Sequence, residues 1–209
     1  MAPIKVETYV VGSVQTNCYF TINEQTRETL IIDPGASAGR LAERLTEQQL
    51  KPEAILLTHG HFDHIMGIDG FLQEFFVPVY ACVEERQLLE NAQYNASIMY
   101  GEGYTFAGAV YVADGQILNV AGMKIRVIHT PGHTIGGCCY YLEDEQVLFS
   151  GDTLFQESIG RADLPTGNAS ALVRSVREKL LVLPETVRVY PGHEEMTTIE
   201  MERKYNPFI

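Results

Sequence analysis

The stretch Thr58-His59-Gly60-His61-Phe62-Asp63-His64 constrains this chain more than any other. Four metal-binding side chains, His59, His61, Asp63 and His64, occupy six positions directly after the apolar run Ala54-Ile55-Leu56-Leu57. Such a run reads as a buried strand. The cluster therefore sits where a strand gives way to a loop, the usual place for a site built on a rigid scaffold. In extended backbone, residues two apart point the same way, so His59 and His61 can grip one ion while Asp63 and His64 turn toward a second. A lone histidine is commonly solvated or satisfied locally. Four donors at this spacing, packed without compensation, would carry a desolvation penalty.

Six histidines occur in all, and the remaining three are His129, His133 and His193. His133 lies in Thr130-Pro131-Gly132-His133-Thr134, Asp152 in Ser150-Gly151-Asp152-Thr153, and His193 in Tyr190-Pro191-Gly192-His193. Each follows a predicted strand and has glycine beside it, which lets the backbone turn sharply and approach a site. Two ions can be supplied: the first by His59, His61 and His133, the second by Asp63, His64 and His193, with Asp152 bridging both. Nitrogen-rich sites with carboxylate suit zinc, and iron or manganese also fit. A water shared by two divalent ions is acidified toward neutrality and becomes a hydroxide nucleophile. The constellation points to hydrolysis at a carbonyl or phosphoryl centre. His129 shares strand parity with Met123, Ile125 and Val127 and is expected to face the core as a structural histidine.

Between these motifs the chain mixes strands and helices. Strands are predicted near residues 4–10, 18–22, 30–33, 117–120, 123–129, 137–142, 147–150 and 187–190. In the first, Ile4, Val6 and Val10 share one face, and Lys5, Glu7 and Tyr9 the other. Ser37 reads as the cap of a helix carrying Leu41, Leu45 and Leu50. A second helix is expected over residues 83–95 with Leu88 and Leu89 inward. A third, capped by Asn168, carries Leu172, Val173, Val176 and Leu180, and a last short helix ends before Asn206-Pro207-Phe208. Residues 96–109, with three glycines among Tyr100, Tyr104 and Phe106, read as a packed surface loop or a flap facing the substrate. With no linker or repeat in view, the expectation is one α/β domain over residues 1–209.

The formal charge of −12 disfavours nucleic-acid and anionic-membrane partners. No apolar stretch approaches membrane-spanning length, and the N-terminus from Met1-Ala2-Pro3 lacks an apolar signal region. Cys18, Cys82, Cys138 and Cys139 form no Cys-x-x-Cys pair and read as small buried thiols. Adjacent Cys138 and Cys139 should face opposite sides of a strand. This usage fits a reducing compartment, the cytoplasm.

Asp33-Pro34-Gly35, the His-x-His-x-Asp-His cluster, His133, Asp152 and His193, in that order, resemble the metallo-β-lactamase superfamily over nearly the whole chain. The resemblance implies a four-layer αββα sandwich with the metals at one edge, and places Asp33 behind the ligands. Lactamases of the best-known zinc class carry cysteine where Asp152 stands, and flavodiiron proteins carry Glu where His61 stands. RNA-processing relatives bring extra domains or basic arms. Thr130-Pro-Gly-His-Thr134, Ser150-Gly-Asp-Thr-Leu-Phe155 and Tyr190-Pro-Gly-His-Glu194 look like the glyoxalase II (hydroxyacylglutathione hydrolase) group. The Gly160-Arg161-Ala162-Asp163-Leu164-Pro165 segment and the Asn206-Pro207-Phe208 ending look like its small bacterial members.

That likeness implies a dinuclear hydrolase cleaving an acyl thioester such as S-lactoylglutathione through a metal-bridging hydroxide. Asp63 would act both as ligand and as the catalytic group orienting the nucleophile, and Arg161 would bind the substrate. Two departures stand out. The glutathione-holding helical C-terminal extension has no counterpart here, and two glutathione-contacting tyrosines correspond to Asp163 and Glu195. The alternatives are a persulfide dioxygenase with one iron on His61, His133 and Asp152, a lactonase or phosphodiesterase on the same dinuclear site, or a metal-binding protein without turnover.

Overall fold

The computed structural model describes residues 3–209, so Met1 and Ala2 of the N-terminal reading lie outside the described residues. Two six-stranded sheets face each other. The first runs, in spatial order, β1 (Ile4–Val11), β2 (Thr16–Asn23), β3 (Glu28–Ile32), β4 (Lys51–Leu56), β5 (Val79–Cys82) and β6 (Val110–Val112). Its first three strands are antiparallel and the rest pair in parallel. The second is built from β7 (Ile117–Val120), β8 (Met123–His129), β9 (Cys138–Leu142), β10 (Val147–Gly151), β13 (Arg188–Pro191) and β14 (Thr197–Thr198), in the order β14-β13-β10-β9-β8-β7. A short hairpin, β11 (Leu154–Phe155) with β12 (Ser158–Ile159), follows β10.

The period-two alternation of the strands creates the layers. Tyr19, Leu30, Ile32, Leu56, Ile125, Val127, Tyr140 and Phe149 fill the space between the sheets. Phe20, Ile22, Ile31 and Ile55 face the other way and pack with Leu41 and Leu45 of α1 (Ala38–Glu47), Ile65 of α2 (Phe62–Ile65) and Phe71 of α3 (Ile68–Glu74). On the far side, Cys139, Tyr141, Leu148 and Val189 meet Val176 and Leu180 beyond α5 (Ala169–Ser175), and Ile199 of α6 (Ile199–Tyr205). The result is helix, sheet, sheet, helix. Central strands covered on both faces must be apolar throughout, which is why β9 and β10 are buried at every residue. Cys138 and Cys139 do face opposite layers, and all four cysteines are buried and free.

Several expectations change in detail. Helix α1 begins where predicted, but Ser37 sits at φ 58° and its hydroxyl makes no capping bond; Leu50 lies past the helix yet stays buried. Asn168 does cap α5, accepting from the Ala171 amide. The helix predicted over residues 83–95 shrinks to a 3₁₀ turn, Val83–Glu85, and α4 (Arg86–Leu89), with Leu88 and Leu89 buried. Asn91 ends it: its Oδ1 accepts from the amides of Gln93 and Tyr94, an Asx turn that competes with helical bonding. On edge strand β1, Ile4 and Val6 pack on the inter-sheet core, whereas Val10 is exposed. His129 is not in the core. It is half-buried at the last residue of β8, where the sheet runs out, with its Nε2 on the Ile135 carbonyl. No described helix is long and apolar enough to cross a membrane.

Candidate metal centre

Strands β4, β8, β10 and β13 each end at one edge of the sandwich, and each hands its loop a donor. His59 and His61 leave β4, and Asp63 and His64 follow at once on α2. His133 lies past β8, Asp152 directly after β10, and His193 after β13. All seven predicted ligands come together there. His59, His61 and His133 form one group and Asp63, His64 and His193 another, with donor atoms within 4.8 Å of one another in each. His61 Nδ1 and His133 Nε2 are 2.8 Å apart. Asp152 lies between the groups, with Oδ2 3.4 Å from His133 Nε2 and 3.6 Å from His193 Nε2, and Oδ1 3.5 Å from His64 Nε2.

The protein alone does not satisfy these donors. His59 Nε2, His61 Nε2, His64 Nε2 and Asp152 Oδ1 are buried without a hydrogen-bond partner. Buried polar atoms are normally paired, because leaving one unpaired costs ~1–3 kcal/mol. Four such orphans in one cluster of imidazole nitrogens and carboxylate oxygens fit divalent cations. The group Cys82, Glu84 and His129 is different. There the thiol already donates to Glu84 and the imidazole is spent on Ile135.

A further layer of bonds fixes the rings, as metal-binding histidines require. Asp33 accepts from Thr58 N at 2.8 Å and Thr58 Oγ1 at 2.5 Å, and its Oδ2 lies 2.9 Å from His64 Nδ1. The position behind the ligands that the resemblance implied for Asp33 is therefore observed. His133 Nδ1 bonds the Arg161 carbonyl at 2.7 Å, and Thr16 Oγ1 donates to Asp63 Oδ2 at 2.6 Å. Thr16 and Thr58 went unnoticed in the sequence: Thr58 adjoins the cluster, but an isolated Thr16 gives no signal.

Electrostatics separate the histidines. Burial drives His59 and His61 well below the ordinary imidazole range, and neighbouring imidazoles add to the effect. Both stay neutral and free to ligate. Burial also opposes charge on His64, but Asp63, Asp33 and Asp152 together push it up to about 10. Asp63, despite its own burial, is held below the carboxylate range by His64 and by bonds to His193 and Thr16. Without an ion, His64 therefore keeps a proton that a cation must displace. Metal uptake at pH 7 is expected to release protons, on the order of one from His64. A pH-indicator titration in weak buffer measures this, and uptake without release would remove His64 from the ligand set.

A cavity of about 250 Å³ opens on the donors, lined by His61, Asp63, His133, Asp152 and His193 together with Val14, Phe62, Met99, Tyr100, Arg161 and Leu164. A larger one, about 470 Å³, adjoins it across Val14, Phe62, Asp63 and Tyr100. Tyr100 stacks on Phe62 with ring centroids 3.9 Å apart. Within residues 96–109 Phe106 is buried, as a packed loop requires, and Met99 and Tyr100 wall the cavity. Arg161 reaches the cavity, but its Nε and Nη2 both donate to Asp163 at 2.7 Å.

The metallo-beta-lactamase superfamily profile matches residues 11–193, a span holding every one of these donors. The chain belongs to this superfamily. The family makes it a metal-dependent hydrolase. Among superfamily members, the hydroxyacylglutathione hydrolase GloC of Haemophilus influenzae is 34% identical over 209 residues, 99% of this chain and 98% of that one. The crystal structure of the BLEG-1 B3 metallo-beta-lactamase is 41% identical with a TM-score of 0.92, covering 98% of this chain and 99% of that one. The crystal structure of TTHA1623 in a di-iron-bound form is 34% identical with a TM-score of 0.87, covering 97% and 100%. Both show the superfamily sandwich seen here.

Proposed function

We propose that this superfamily member hydrolyses acyl thioesters of the S-lactoylglutathione kind with two divalent ions, zinc foremost. His59, His61 and His133 would hold one, Asp63, His64 and His193 the other, and Asp152 both. The observation that carries the reading is the convergence of seven donors at one sheet edge, four of whose atoms are buried and orphaned, with five of the seven residues lining an open cavity. When bound, the ions supply Lewis acidity and bring a coordinated water toward neutral pKa.

The chain's own residues position the chemistry. Asp33 and the Arg161 carbonyl fix the rings of His64 and His133. Asp63, steadied by Thr16 on Oδ2, orients the nucleophilic water. Val14, Phe62, Met99 and Tyr100 offer the acyl group an apolar wall. A thiolate leaves without a proton, since thiol pKa values are modest; this suits a cavity with no lysine in its lining. The likeness to a hydroxyacylglutathione hydrolase across both chains supports the same class. Arg161 would meet a carboxylate of the thiol carrier by exchanging Asp163 for it. The partner is a small molecule and neither nucleic acid nor membrane, in keeping with a charge of −12. The four free buried thiols suit the cytoplasm.

The 41% identity to a B3 metallo-beta-lactamase favours a second reading, β-lactam hydrolysis on the same site. The absence of cysteine at Asp152 argues only against lactamases that use one. Elemental analysis of protein purified without chelator, with S-lactoylglutathione and a chromogenic β-lactam assayed on the same sample, tests both. Two ions per chain with thioester turnover is the expected result. β-Lactam turnover without thioester cleavage would install the second reading. One iron without either activity would point to sulfur dioxygenation on His61, His133 and Asp152.

A further inference from the structure

One buried carboxylate joins the two sheets at the metal centre and belongs to neither ligand group. Glu85 ends the 3₁₀ turn after β5 and is 1% exposed. Its Oε1 accepts from the Gly60 amide at 2.7 Å. Its Oε2 accepts from Thr134 Oγ1 at 3.0 Å and from the Gly136 amide at 2.8 Å. Gly60 stands between His59 and His61, and Thr134 follows His133. The first loop leaves β4 of one sheet, and the second connects β8 to β9 of the other. A single side chain thus spans the gap between the loops that carry one complete group of three imidazoles.

The fit is close on both sides. A Cβ on Gly136 would lie 2.1 Å from the Glu85 amide nitrogen, and one on Gly60 3.1 Å from Leu89 Cδ2 and 3.4 Å from Glu85 Oε1. Gly136 therefore lies against the Glu85 backbone, and Gly60 against Leu89 and the Glu85 carboxylate. The carboxylate also lacks a cationic partner: no lysine, arginine or histidine pairs with it among the described residues. Three donors on its two oxygens suit the ionised carboxylate, whereas burial disfavours that form and pushes the group up to about 7; a cation held by the imidazoles it brackets would favour the ionised form. The other group is held differently. Asp33 orients His64 and Thr16 orients Asp63, while Asn17 anchors the strand end before His193 through the Pro191 and Glu194 carbonyls. None of these touches Glu85.

We propose that Glu85 is a positioning residue for the ion held by His59, His61 and His133: it sets the separation of two loops from opposite sheets and supplies a buried counter-charge. This rests on the two-ion reading above. Glu85→Gln isolates the role. An amide nitrogen donates and cannot accept, so in either orientation the Gly60 or the Gly136 amide loses its acceptor, and the charge is gone while the volume stays.

The test is stepwise cobalt(II) binding by chelator competition to wild type and Glu85→Gln, with visible spectra, alongside melting of the chelator-stripped proteins. One equivalent should bind about 10–100-fold more weakly, as when the outer partner of a ligand is lost; the other should keep its affinity, and the spectrum of the retained ion should survive. Thr134→Val, which removes one of the three bonds, should weaken the same equivalent by less. Unchanged affinity for both ions in Glu85→Gln would overturn the proposal. So would equal weakening of both in step with a lowered melting temperature, the mark of a mere fold staple. A wild-type chain that took up no divalent ion would bring down the two-ion reading and this role with it, whereas failure confined to the variant would bring down only the role.

Discussion

Asp152→Ala should abolish turnover, by about a thousandfold or more, which is ~4 kcal/mol in the barrier. It should also lower metal content. Among the described residues Asp152 is the one carboxylate within 3.6 Å of donors from both groups, His133 on one side and His64 and His193 on the other. Its Oδ1 has no partner within the protein. On the two-ion reading, removing it takes a ligand from each ion, and it leaves three imidazoles facing each other with less negative charge between them. Elemental analysis and thioester turnover on the same preparation measure the effect. A variant with full occupancy and normal rate would end the dinuclear reading.

Gly35→Ala is expected to act on the fold, lowering stability by ~4 kcal/mol or more, at the severe end for single substitutions. A Cβ at Gly35 would lie 1.4 Å from the Asp63 carbonyl oxygen and 2.4 Å from its carbon. These are backbone atoms, so no side-chain rotation relieves the clash. The neighbouring Pro34 carbonyl receives the Gly67 amide, which ties the same turn to the end of α2. For a chain of this length the loss corresponds to a fall in melting temperature on the order of 10 °C or more. Thermal unfolding of the chelator-stripped protein is the check, and a wild-type melting curve would contradict the packing described between Asp33-Pro34-Gly35 and the metal loop.

Much of the centre was legible because its chemistry is carried by rare residue types. Histidine is scarce in this chain, and the candidates recur at one kind of place, a strand exit beside glycine. The outcome at His59, His61, Asp63, His64, His133, Asp152 and His193 follows from that recurrence. His129 was misjudged in its surroundings because strand parity says which side a residue faces, not how far the covering layer extends. The helix over residues 83–95 failed because the Asn91 side chain diverts the backbone, a local competition that apolar spacing does not reveal. Glu85, Thr16 and Thr58 were invisible for a different reason. Their importance lies in which backbone amide or carboxylate oxygen they meet, and those meetings join segments remote in sequence. The short helices α2 and α3 have too few turns for a periodic pattern to emerge.

The ligands come from both sheets and from stretches far apart in the chain, and this bears on how the protein matures. A metal-binding finger gathers its ligands from one short segment and can fold around its ion. Here the first sheet and α2 contribute only His59, His61, Asp63 and His64; a full complement exists only after β8, β10 and β13 have docked and long loops have been closed. Ions held by this set would therefore enter last and bind tightly only to a finished sandwich. Occupancy would in this sense be a certificate of assembly: on the two-ion reading, a chain that stalls with its sheets apart stays empty and inert.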